Sequence, residues 1–353
     1  MSLFDFRTHE VRELYWAIAG PSLLSPETLP IETDSELRAI AERHLAELRR
    51  LDEDPTELYL YFSDHPSLSR LGRHFENLLE YFLTRLERAP AFARNIQVQS
   101  EVLGKKGGTL GELDLLFQAP WCREARHWEA SVKFYICVAR EAEEFQDERH
   151  WLGTLVYDRL DRKIAKLKNR QLGLAQTPEG ARAIAERGHE AAQSRALLKG
   201  FMYYDAESDW RTAAVPASVS GAHCRGWWTT SRRPALPATR AQSRFMRLPP
   251  ERWLAPFQGW LPQTLVYSRA GFERHIREFF GGRALPHALT REIMSAEVEV
   301  LDEGANGLFV RELSRGNVVF EAWPDYARAS AHGAEGSAGP LRNLYFNPGP
   351  DLV

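Results

Sequence analysis

The sequence predicts a mixed α/β fold of the α+β kind, a central sheet flanked by helices. Three observations carry this reading. Residues 68–88 repeat apolar side chains at helical spacing. Consecutive stretches between 95 and 138 alternate polar and apolar residues with the period of two that a strand imposes. A strongly charged helical stretch at 155–174 follows, and then a short strand-like run, K-G-F-M-Y-Y, at 199–204. That order places about four strands, from 95–138 and 199–205, between the helices at 68–88 and 155–174.

The elements can be taken in chain order. Residues 8–19 read as a helix capped by Thr8, with Val11, Leu14, Tyr15 and Ile18 on one face. Gly20-Pro21 stops it. After a proline-rich loop, Asp34 caps a helix running to about Leu51. The helix at 68–88 carries a wide stripe from Leu68 and Leu71 through Phe75, Leu78 and Phe82 to Leu86. Residues 95–103 make a strand, G-K-K-G-G at 104–108 a turn, and a second strand starts at Thr109. A-P-W-C-R-E-A-R at 119–126 turns the chain into a third strand ending near Val138, so the last two strands form an antiparallel hairpin. E-A-E-E-F-Q-D-E beyond it reads as an exposed acidic loop, and 178–194 as a further helix.

Composition bounds the function. The chain has 353 residues, 44% hydrophobic and 26% charged, enough for a real core in one large or two ordinary domains. A net charge of −3 means that any nucleic-acid contact must come from local patches. Cys122, Cys137 and Cys224 are odd in number and show no CxxC spacing, which argues against a disulfide framework and a cysteine-built zinc site. The first residues, M-S-L-F-D-F-R-T-H-E, contain acids and no apolar signal core, and no run reaches membrane-spanning length. The expectation is a reducing, cytoplasmic location with no membrane partner.

The chemistry concentrates in the hairpin. Along G-E-L-D-L-L-F, Glu112 and Asp114 face one way, while Leu113, Leu115 and Phe117 face the other. Along H-W-E-A-S-V-K-F-Y, Glu129, Ser131, Lys133 and Tyr135 share a face, and Ala130, Val132, Phe134 and Ile136 the opposite one. Carboxylates and a lysine side by side need partners if they are covered. A divalent metal on Asp114 and Glu129, with Lys133 one strand repeat beyond, is the arrangement that metal-assisted phosphodiester hydrolysis requires. A half-exposed sheet with solvated side chains is the alternative. Glu76 lies within the 68–88 helix, either as a surface glutamate beside Arg73 or as a carboxylate aimed at the hairpin. From 158 to 170 the charged helix carries Arg159, Arg162, Lys163, Lys166, Lys168 and Arg170 against Asp158 and Asp161. This is either a solvated face or one that tracks phosphates.

The texture changes after residue 210. Seven arginines, from Arg225 to Arg252, interleave with Trp227, Trp228 and Trp253, and oppose only Glu251 between 224 and 252. They suit phosphates and stacked bases, or core tryptophans flanked by surface arginines. Strands are expected within 292–323, and the stretch after about Tyr326 is low-complexity. The expected organisation is an N-terminal helical extension at 1–60, a core at 61–210, a β-containing extension packed on it at 211–326, and a flexible tail at 327–353.

L-G-R-H-F-E at 71–76, G-E-L-D at 111–114, W-E-A-S-V-K-F-Y at 128–135, D-R-L-D-R-K at 158–163 and Q-L at 171–172 occur in this order. Together they resemble the PD-(D/E)XK nuclease superfamily, and within it a bacterial family of unknown function. The likeness covers roughly 68–205 and implies a restriction-endonuclease-like mixed sheet flanked by helices. By that resemblance Asp114 matches the metal-binding aspartate, Glu129 and Lys133 the (D/E)-x-K pair, and Glu76 the helix carboxylate that assists the metal. The spacing departs from the pattern. Here it is E-x-x-x-K, with Ser131 in the usual acidic place, although the strand period keeps Glu129, Ser131 and Lys133 on one face. The resemblance implies a Mg²⁺- or Mn²⁺-dependent nuclease acting on DNA or RNA, with Asp114, Glu129 and Glu76 at the metal and Lys133 at the attacking water. Arg159, Arg162, Lys163, Lys166 and Arg170 would lie along the phosphates. The alternative is a catalytically inactive module of the same fold that binds nucleic acid or a protein.

Overall fold

A computed structural model describes residues 2–66, 71–102, 105–237, 239–281, 291–305 and 307–333, with side chains described for all of these except 101, 102 and 105–107. The start of the helix expected at 68 falls outside them; of the turn expected at 104–108, residue 104 does too, whereas 105–108 already belong to the second strand, which pairs back on the first from Lys105. The described residues form a mixed sheet flanked by helices, the α+β class expected. The chain divides into two compact units that interleave along the sequence: 1–133, 162–200 and 217–223 in the first, and 134–161, 201–216 and 224–353 in the second. This differs from the consecutive blocks expected, because the strands at 125–137 and 192–205 contribute residues to both units.

The first unit opens with α1 (His9–Ala19), in which every residue but Glu10 is buried. Its two central charges are satisfied internally. Arg12 donates to the carbonyls of Phe6 and Arg7 at 2.7 and 2.9 Å. Glu13 lies 3.2 Å from His9 and 2.9 Å from His74, and these two rings hold its carboxyl at about 2 against the opposing effect of burial. Thr8 is the N-cap, but its side chain makes no capping bond; its hydroxyl donates to the Asp52 carbonyl at 3.2 Å. The single helix expected from Asp34 to Leu51 is two: α2 (Asp34–Arg43), closed by a Thr33/Glu36 capping box, and α3 (Leu45–Glu53). His44 breaks them with ψ of 18°, and its ring sits 3.0 Å from the buried Glu87. Next come α4 (Thr56–Asp64) and α5 (Leu71–Tyr81). A π-helical turn at Phe82–Leu86 continues α5, with Glu87 N–H reaching back to the Phe82 carbonyl.

β1 (Ala91–Val102) and β2 (Lys105–Gln118) are antiparallel. The expected hairpin is present: β2 pairs antiparallel with β3 (Ala125–Cys137) through Leu115–Trp128, Leu116–His127 and Phe117–Arg126. β3 is largely buried on both faces, where a solvated polar face was the alternative. Its last residues pair with the short β4 (Trp151–Leu152) in the second unit. The charged helix is shorter than the 155–174 expected. α6 (Leu160–Lys166) begins only after a turn in which Gly153 N–H bonds to the Asp158 carbonyl, and it ends in a second π-helical turn, Leu167–Gln171. Likewise α7 (Pro178–Ala185) stops well before 194, and β5 (Ala192–Asp205) takes over.

In the second unit the end of β5 runs parallel to β6 (Cys224–Thr230). β7 (Arg244–Arg247), β8 (Gln258–Leu261) and α8 (Arg269–Phe280) follow. β9 (Glu292–Gly304) and β10 (Gly307–Val319) form a long antiparallel pair. β10 lies parallel to β6, so strands expected at 292–323 are found, in the order β5-β6-β10-β9-β7 with β8 on β10. The expected tail is helical at its start: α9 (Trp323–Ala331) packs Trp323 and Ala327 into the core. The remainder, 334–353, lies outside the described residues.

Candidate functional site

The site is built by β2, β3, α5 and α6 within the first unit. The strand period turns Asp114 of β2 and Glu129 of β3 to the same side of the hairpin. Asp114 is held by the backbone: Ala130 N–H donates to its Oδ2 at 3.0 Å. Glu129 is 2% exposed. The two carboxyls are close enough to share a proton, and burial reinforced by the Asp114 charge pushes Glu129 up to about 8. Burial also raises Asp114, opposed by its bond to Glu129 and by the Lys163 ammonium. At neutral pH this pair resists carrying two charges.

Two groups from α6 meet the pair. Gln171 Nε2 donates to Glu129 Oε1, and Lys163 Nζ donates to Gln171 Oε1 at 3.4 Å. Burial lowers Lys163; the Glu129 charge opposes this, and the neighbouring Lys133 ammonium adds to it. The π-helical turn places Gln171 where it meets both Glu129 and Lys163. Lys133 of β3 thus lies within electrostatic reach of Lys163. Its carbonyl is approached so closely by β5 that a Cβ at position 200 would come within 1.7 Å, and Gly200 has φ of +138°. Only glycine fits there without strain.

Of the residues singled out in sequence, Asp114 and Glu129 come together, and Lys133 stands near Lys163. Glu76 on α5 is half-buried; burial raises it and the Asp114 charge adds to that. It therefore faces the hairpin and not bulk solvent. Among the described residues, however, Glu76, Asp114 and Glu129 do not close into a group with ligand atoms within 4.8 Å of one another. Glu76 thus stands in a charge-coupled position beside the pair.

The basic set divides. Lys163 belongs to the carboxylate cluster and not to an exposed phosphate-tracking face. Arg159 is 8% exposed, pairs with Asp161 at 2.7 Å and donates to the Ser330 carbonyl at 2.6 Å, so it too is removed from that face. Arg162, Lys166 and Arg170 are exposed. Arg170 also donates to the Leu110 carbonyl at 2.9 Å, which ties the turn after α6 to β2. Trp227 and Trp228 are core residues, Trp227 donating to Ser314 Oγ at 3.0 Å, so they are not available to stack on bases.

Sequence reasoning missed Gln171 and His127. The Q-L step was visible but carried no role. His127 sits two residues before Glu129, on the same strand face, fully buried and pushed down to about 4 by burial, with its Nδ1 3.0 Å from Ser194 Oγ. Its Nε2 stands 4.0 Å from Glu129 Oε2, and neither atom has a hydrogen-bond partner among the described residues. Strand period alone could have flagged it.

Fold and site together define an α+β protein with a buried carboxylate pair on the β2–β3 hairpin and Lys163 of α6 beside it. The chain belongs to the family described as a domain of unknown function, DUF1853, which matches residues 12–304. No curated protein and no solved structure matches the chain.

Proposed function

We propose that the chain is a metal-dependent nuclease of the PD-(D/E)XK kind, with Asp114 and Glu129 as the ligands of a Mg²⁺ or Mn²⁺ ion. The observation that carries this is the buried pair itself. Glu129 Oε2 is buried and receives no hydrogen bond from the described residues, beside a second carboxyl that burial also raises. A hard divalent cation fits such a donor set, because it replaces the shared proton and satisfies the orphaned oxygen. When bound, the ion supplies Lewis-acid activation of a water and of a phosphoryl oxygen. Asp114 is pre-positioned by the Ala130 amide, and Gln171 orients Glu129. Lys133 would orient the attacking water, while Lys163 would offset charge that develops on the phosphoryl oxygens. Glu76 acts through an intervening water. Exposed Arg162 and Lys166 contact phosphates without reading sequence.

A second reading is supported by Gln171 and Lys163. They already satisfy part of Glu129, as they would in a module that keeps the fold and binds nucleic acid or a protein without cleaving it. The discriminating experiment is a Mg²⁺/Mn²⁺ cleavage assay on mixed single- and double-stranded DNA and RNA with wild type, Asp114→Asn and Lys133→Ala. The nuclease reading expects metal-dependent cleavage that drops by at least about a hundredfold in each variant, since these groups act in the transition state. Equal activity in all three proteins would refute it. Binding without cleavage would favour the second reading.

A further inference from the structure

The second unit contains another cluster, unrelated to the carboxylate pair. His150 is 3% exposed, and neither of its ring nitrogens has a hydrogen-bond partner among the described residues. Leaving both nitrogens of a buried imidazole unsatisfied is costly unless something else engages them. Its surroundings are arranged around it. Nε2 lies 3.6 Å from Glu144 Oε1, and Nδ1 lies 3.8 Å from Asp147 Oδ2. The exposed His332, at the C-terminal cap of α9, packs edge-on against the His150 ring at a centroid distance of 5.3 Å. One ligand atom from each of Glu144, His150 and His332 lies within 4.8 Å of the others.

We propose that Glu144, His150 and His332 bind a borderline transition-metal ion of the Zn²⁺ class, distinct from the hard cation assigned to Asp114 and Glu129. Two imidazoles and one carboxylate form a nitrogen-rich donor set that suits zinc better than magnesium. Two ligands on a tetrahedral zinc stand about 3.4 Å apart, given metal–ligand bonds of about 2.0–2.1 Å, so the 3.6 Å between Glu144 and His150 needs little adjustment. The supporting shell is already built. Glu144 Oε2 accepts from the backbone N–H groups of Arg140 and Glu141 at 2.7 and 3.3 Å, which leaves Oε1 to face His150. Asp147 stands on the far nitrogen of His150, the place where a carboxylate orients a metal-bound histidine. Arg149 in turn fixes Asp147 with bonds of 2.7–3.1 Å. Glu144 is 27% exposed, so the ion has a route in and a coordination position open to water. The site ties the loop after β3 to the end of α9. It contains no cysteine, so the absence of CxxC spacing does not bear on it.

The full-length protein, stripped with chelator, is titrated with Zn²⁺ by calorimetry and with Co²⁺ by visible absorption. The expected result is a nitrogen-ligated Co²⁺ spectrum and a Zn²⁺ site that persists in Asp114→Asn. His332→Ala should lower the Zn²⁺ stoichiometry by one and abolish the Co²⁺ bands. Asp147→Asn should weaken binding about tenfold to a hundredfold. His332 is exposed, so the metal-free melting temperature of His332→Ala should equal that of wild type, which shows that the fold is intact. Wild type without a nitrogen-ligated Co²⁺ spectrum, or Zn²⁺ binding unchanged in His332→Ala, would overturn the proposal. Because Asp114→Asn is scored separately, neither result depends on the nuclease reading.

Discussion

Glu129 concentrates the energetic tension of the site. Its folded pKa of about 8 lies above the ordinary value of 4.5, so the folded state binds this proton more tightly than the unfolded chain. The associated stability is fully present below pH 4.5 and is lost as pH rises through about 8. Glu129→Gln keeps the shape and removes the ionisation. At pH 8 to 9 the metal-free variant should therefore be more stable than wild type, on the order of 2 kcal/mol by urea denaturation. It should also lose metal-dependent cleavage. A structural glutamate held by an ordinary ion pair predicts the opposite sign, so a destabilised variant would refute this account. Metal binding in wild type should strengthen with pH up to about 8 and then level off, since the ion competes with the Glu129 proton.

Among the elements, two irregularities aim the site: the π-helical turn after α6 and the glycine in β5. Both are departures from regular periodicity, and both put a side chain or carbonyl where a straight element would not. Gly200→Ala confronts a backbone oxygen at 1.7 Å with a φ of +138° that alanine disfavours. The expected outcome is a loss of roughly 2 kcal/mol or more in stability, together with reduced cleavage through displacement of Lys133. Wild-type stability by thermal melting, with full activity, would show that the close approach of β5 to Lys133 carries no constraint.

For the whole molecule, the net charge of −3 leaves attraction to polyanions to a few exposed cations. The structure narrows these beside the site to Arg162, Lys166 and Arg170. In an Asp114→Asn background, replacing Arg162 and Lys166 by alanine should weaken duplex binding equally across sequences. It should also reduce the slope of log affinity against log salt by about 2. An unchanged slope would remove α6 from the binding face. No helix among the described residues is long and apolar enough to cross a membrane.

Local sequence determined the hairpin, the two principal carboxylates and the helix that carries Glu76, because strand and helix periods follow from side-chain direction alone. The same period kept Lys133 on the face of Glu129 despite the longer spacing. Helix lengths were less legible. The break at His44 involves a contact with Glu87, forty-three residues away. The functional division of the basic helix was not legible at all. Its cations look alike in sequence, yet Arg159 turns inward to Asp161, Lys163 enters the carboxylate cluster, and Arg162 and Lys166 stay exposed. The acidic loop after β3 likewise read as solvated, whereas His150 is buried within it and His332 approaches from α9, far along the chain. Sequence thus determined which groups alternate along each element. Tertiary structure decided which of them meet and which lose water, because desolvation and opposing charge are properties of surroundings that distant segments supply.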